Sequence, residues 1–210
     1  MNDRKIGDLI IGGYGSAAGG EYGAVRINGY GKITGDVKCV DMRINGAGEA
    51  AGVECKSLHI NGTGDLTGTL KAAELKVSGS GSIIGAAQCG TAKVTGTATF
   101  RAGLDAQLVD VSGSIKVGGD CNAERFISSG VFEVEGLLSA DHVEVYLDWN
   151  KGRAKEIGGA DITVRPGPRG IGVLRSIFGH SPALEAETIE GNEISLELTK
   201  AAVVRGNNVS

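Results

Sequence analysis

Ile60-Asn61-Gly62-Thr63-Gly64-Asp65-Leu66-Thr67-Gly68 returns 17 residues later as Val77-Ser78-Gly79-Ser80-Gly81-Ser82-Ile83-Ile84-Gly85, and again as Val94-Thr95-Gly96-Thr97-Ala98-Thr99-Phe100. On either side the opening tripeptide, a β-branched residue followed by a small or polar one and a glycine, recurs as Ile11-Gly12-Gly13, Ile27-Asn28-Gly29, Ile44-Asn45-Gly46 and Val111-Ser112-Gly113. Gly130 continues the series, and successive glycines lie 16 or 17 residues apart. Self-similarity at such a period is the signature of a solenoid, in which each turn buries its apolar face only by stacking on the next.

Six residues after each of these glycines stands a second one, at Gly19, Gly35, Gly52, Gly68, Gly85, Gly119 and Gly136, with Ala102 the exception. Each turn therefore has at least two fixed corners, where a sharp bend calls for positive φ or for close backbone approach. Between corners the apolar residues alternate as a half-buried strand requires. The fourth place after each first glycine holds Ala17, Ile33, Ala50, Leu66, Ile83, Phe100, Val117 and Val134, which predicts one stacked inner wall. A second side offers pairs such as Val53 with Cys55 and Leu70 with Ala72, and a third offers Leu58 with Ile60 and Val109 with Val111. Three short sides, each sending two residues inward, describe an all-β triangular β-solenoid of about 17 residues per turn.

The composition agrees. The 210 residues are 41% hydrophobic but only 4% aromatic, with 36 glycines, so small and β-branched side chains must fill the interior. A net charge of -4 and the scarcity of aromatics speak against a nucleic-acid partner, which would need a basic surface and stacking platforms. Met1 to Asp8 reads as a short charged tail. The apolar run Leu9 to Ile11 is too short for a signal or spanning segment, which gives a cytoplasmic expectation.

Cys39, Cys55 and Cys89 fall in one inward slot that other turns fill with Ala72, Ala106, Ala123 and Ala140, so they read as small core residues hidden from solvent. No C-x-x-C pair accompanies them, and no metal or cofactor site is expected. Of the three histidines only His59 sits between inward residues, and no second catalytic group accompanies it, so an acyltransferase is a remote reading. Gly62-Thr63-Gly64-Asp65 is the one approach to a calcium repeat, and the G-x-G pairs lack the helix and lysine of a phosphate loop.

The coil is expected over 9–164. Arg165-Pro166-Gly167-Pro168-Arg169-Gly170 reads as the start of a loop excursion over 165–183, because proline lacks a ladder donor. Within it, Val173, Leu174, Ile177 and Phe178 form a short amphipathic piece that could touch a membrane surface or a partner. Alternation resumes in 184–210 with Ile189-Glu190-Gly191 and Ile194-Ser195-Leu196. The turn opened by Val204-Arg205-Gly206 is unfinished at Ser210, which reads either as truncation or as an open strand edge.

Gly29-Tyr30-Gly31-Lys32-Ile33-Thr34-Gly35-Asp36-Val37, its echoes down the chain, and Glu190-Gly191-Asn192-Glu193-Ile194-Ser195-Leu196 with Val203-Val204-Arg205-Gly206 resemble the bactofilins, polymer-forming bacterial cytoskeletal proteins. The resemblance spans nearly the whole chain. It implies a right-handed, single-stranded β-helix and end-to-end homopolymers formed without nucleotide, by a protein at the inner face of the membrane or near cell-envelope proteins. The expected polymer interface is Leu9, Ile11 and Ala17 at one end and Leu196, Leu198, Val203 and Val204 at the other. The competing reading is a monomeric scaffold that presents its faces to a protein or cell-wall partner.

Overall fold

A computed structural model describes residues 6–148, 150–167 and 184–210. Among them every regular element is a strand. The first turns are built from β1 (Leu9–Ile11), β2 (Tyr14–Glu21), β3 (Ala24–Ile27), β4 (Tyr30–Ile44), β5 (Ala47–Ala50) and β6 (Val53–Ile60). The middle turns hold β7 (Thr63–Leu66), β8 (Leu70–Val77), β9 (Ser80–Ile83), β10 (Ala87–Val94), β11 (Thr97–Phe100) and β12 (Leu104–Val111). Then follow β13 (Ser114–Val117), β14 (Cys121–Ser128), β15 (Val131–Leu147), β16 (Gly152–Pro166), β17 (Leu184–Leu196) and β18 (Thr199–Val209). Every ladder is parallel and in register, as when Leu70 faces Ala87 and Ala87 faces Leu104. The chain is a β-solenoid of about 11 turns.

The mid-coil turn pairs a four-residue strand with an eight-residue one. In β8 the alternation slips at Ala73 and Glu74, two exposed residues in succession, and the ladder to β10 skips Ala73 and Gly90. That slip bends the long strand into two sides. The triangular section is thus present, but its third corner carries no regular glycine.

The glycine corners have a steric cause. A Cβ on Gly62, Gly79, Gly96 or Gly113 would run into the carbonyl oxygen of the corner glycine one turn earlier. These glycines are dictated by close approach of successive turns, whereas Gly35 has a φ of 114° that a side chain resists.

Inside, the columns pack as the alternation requires. Ile33, Ala50, Leu66, Ile83, Phe100, Val117 and Val134 are all buried. Ala17 is only partly buried, because it belongs to an end turn. Size is exchanged between rungs to keep the core filled. Phe126 meets Phe132 edge-on with centroids 5.2 Å apart, and Gly152, opposite Phe132, leaves the space that the ring occupies.

Two sequence expectations change. Strand β16 continues through Arg165 and Pro166, which face Tyr146 and Leu147, so the ladder reaches past the expected loop boundary. Proline is tolerated there because alternate backbone N–H groups point to opposite neighbours. The Gly167 N–H bonds the Leu147 carbonyl on the β15 side, so the Pro166 nitrogen faces β17, whose pairing stops at Val164 with Leu196. The last turn also contracts: Leu184 faces Thr199, only 15 residues on. Leu198, with a φ of 53°, makes the tight corner between β17 and β18.

Candidate functional site

The two end turns are where strand edges lack partners. At one end β1 pairs with β3 alone and β2 with β4 alone. The Asp8 carboxylate accepts the Ala24 N–H at 2.8 Å and anchors the entry to β1. Leu9 is partly buried, Ile11 is buried, and Ile10 points outward. Tyr14 is 92% exposed, and its ring stacks on Tyr30 with centroids 5.4 Å apart. The Tyr30 hydroxyl in turn donates to Glu49, which also accepts from Lys32.

At the other end β18 pairs only with β17 among the described residues. Leu196 and Leu198 pack partly against the core, while Val203 and Val204 are 38% and 39% exposed and Val209 is 54% exposed. Polar side chains bind this turn to the one before it: Arg205 to Glu190, Asn207 to Asn192, and Asn208 to Glu193. An unpaired parallel strand of 11 residues with protruding valines can accept another strand by backbone hydrogen bonding.

The inner columns connect these ends. The column that begins at Ile11 runs through Ile27, Ile44, Ile60, Val77, Val94, Val111, Ser128, Val145 and Val164 to Leu196. A neighbouring column begins at Leu9 and surfaces as Val209. The seven residues expected from sequence are therefore brought together as two groups, three at one end and four at the other. Sequence reasoning missed Ile10, Tyr14 and Val209, although column counting from Ile194 would have found Val209. Val173, Leu174, Ile177 and Phe178 lie outside the described residues.

The small-residue slot departs from expectation. Cys39 and Cys89 are buried and Cys55 is only half-buried, because Cys and Ala are too short to fill the bend between two sides. The column becomes the floor of a shallow groove, with one cavity of about 330 Å³ beside Cys39 and Cys55 and another of about 470 Å³ over Ala72, Cys89, Ala106 and Ala123. Cys121 belongs to a different column, opposite Leu104 and Leu138, and is fully buried. Desolvation pushes the Cys89 and Cys121 thiols up to about 12.

No helix among the described residues is long and apolar enough to cross a membrane. No family model matches the chain. No solved structure matches it. A segment of 77 residues is 40% identical to the uncharacterized protein YhbE of Bacillus subtilis (strain 168), covering 37% of this chain and 32% of that protein.

Proposed function

We propose that this chain is a structural protein that assembles with copies of itself through its end turns, without nucleotide and without catalysing a reaction. The β-solenoid fits a structural scaffold: its rungs are tied by continuous parallel ladders and its interior is a single core. The observation that carries the further step is the pairing of an unpartnered strand edge with an unfinished apolar column at each end, Leu9 and Ile11 on one side and Leu196 and Val209 on the other. Exposed edges of this kind add strands unless they are covered or charged. Stacking one end turn on another would bury these residues and supply the missing backbone partners. Electron microscopy of the purified protein in nucleotide-free buffer tests the reading. Filaments are expected; single particles at high concentration would favour the monomeric binding scaffold.

A further inference from the structure

We propose that Cys39 and Cys55 form a two-coordinate site for a soft monovalent d10 cation such as cuprous ion, entered through the cavity beside Tyr22. The two residues face each other across adjacent parallel strands, β4 and β6, and their thiols contact one another. They are the only directly opposed pair among the four cysteines. Ala72 separates Cys55 from Cys89, and Cys121 lies in another column.

The spacing decides what such a pair can hold. Adjacent strands lie about 4.8 Å apart, whereas a disulfide needs its Cβ atoms about 3.5–4.5 Å apart. The backbone cannot close that gap easily, because Val37 with Val53 and Met42 with Leu58 fix the register on both sides. A tetrahedral or octahedral ion is poorly served, since no three His, Cys, Asp or Glu among the described residues could hold one. Two metal–thiolate bonds of about 2.3 Å in a line, by contrast, span about 4.6 Å, which matches one rung. Thiolates select soft ions such as Cu(I).

The surroundings fit the charge of that product. One monovalent cation with two thiolates carries a single negative charge, and Lys38 and Lys56 line the cavity. Ile6, Tyr22 and Val40 supply an apolar wall that keeps water and hard oxygen ligands away. Binding is written as one cation and two thiols giving one bis-thiolate complex and two protons. The hydrogen bond with Cys55 lowers the Cys39 pKa while the same contact raises that of Cys55, so Cys39 gives the first proton.

The test is anaerobic titration of the 210-residue protein with Cu(I) against a competing chelator, read as stoichiometry and as thiolate-to-copper ultraviolet absorbance. One equivalent is expected in the wild type and in Cys89→Ala, and none in Cys39→Ala or Cys55→Ala. Alanine already occupies this slot at Ala72, Ala106, Ala123 and Ala140, so the variants retain the fold. Binding that survives in either variant, or its absence from the wild type, overturns the proposal. Mild azo oxidation followed by mass spectrometry checks the spacing: ready loss of two hydrogens at Cys39 and Cys55 also overturns it. The site stands on the groove geometry and is independent of assembly.

Discussion

Leu9 and Val209 are the two ends of one apolar column that threads every turn of the coil through Val25, Met42, Leu58, Leu75, Ala92, Val109, Phe126, Val143, Ile162 and Ile194. Each interior member is buried between two neighbours, whereas Leu9 and Val209 have one neighbour each. Completing the column requires a further turn, and another copy of the chain is one source of it.

The inner wall gives the sharpest stability prediction. Leu66 and Ile83 are opposite each other and almost wholly buried. Aspartate at either position places an unpaired carboxylate in the core, with an expected loss of about 3–5 kcal/mol. Thermal unfolding followed by circular dichroism measures it. An unchanged midpoint would contradict the stacked-wall register.

Glycine substitutions separate steric need from mere frequency. Gly79→Ala drives a methyl into the Gly62 carbonyl and should cost about 1–3 kcal/mol. Gly158→Ala meets nothing closer than Leu137 at 3.8 Å and should be near neutral. The difference between the two melting midpoints is the readout.

The Tyr30–Glu49–Lys32 cluster titrates at both extremes. Hydrogen bonds from Lys32 and Tyr30 hold the Glu49 carboxyl below its usual range, so its contribution is present above about pH 4.3 and disappears as pH falls through the lowered value. The bond to Glu49 raises the Tyr30 hydroxyl, whose contribution is present below about pH 10 and is lost as pH rises through the raised value. Glu49→Gln should return Tyr30 toward the ordinary tyrosine range in a pH titration of its ring resonances.

Thiol reactivity should follow position in the groove. Cys55, half-exposed at its cavity, should react first with an alkylating reagent in the native state, and Cys121, sealed in the core, only on unfolding. Peptide mapping over time gives the order, and early labelling of Cys121 would contradict the column assignment.

The repeat made the coil legible because glycine corners and alternation report the same rung twice, as at Gly62 with Leu66 and Gly79 with Ile83. What stayed hidden had no such marker. The third corner forms at Ala73 and Glu74 through a slip in alternation, and the contracted last turn forms at Leu198, where no glycine stands. Pro166 misled because its missing donor matters only on the side where pairing continues. The cysteine slot misled because a short side chain packs a core and floors a groove with the same alternation. At the ends, Tyr14 and Val209 occupy the right columns, but sequence alone does not show which rung lacks a neighbour.

Sedimentation velocity across a concentration series, with wild type beside Leu9→Lys and Val209→Lys in nucleotide-free buffer, tests the central claim most directly. A lysine at either column end places charge on the unpaired edge and leaves the distant rungs intact. The account predicts large, concentration-dependent species for the wild type and a shift to small species in both variants, with unchanged circular dichroism. A wild type that sediments as a monomer at every concentration, or variants that assemble as it does, would contradict it.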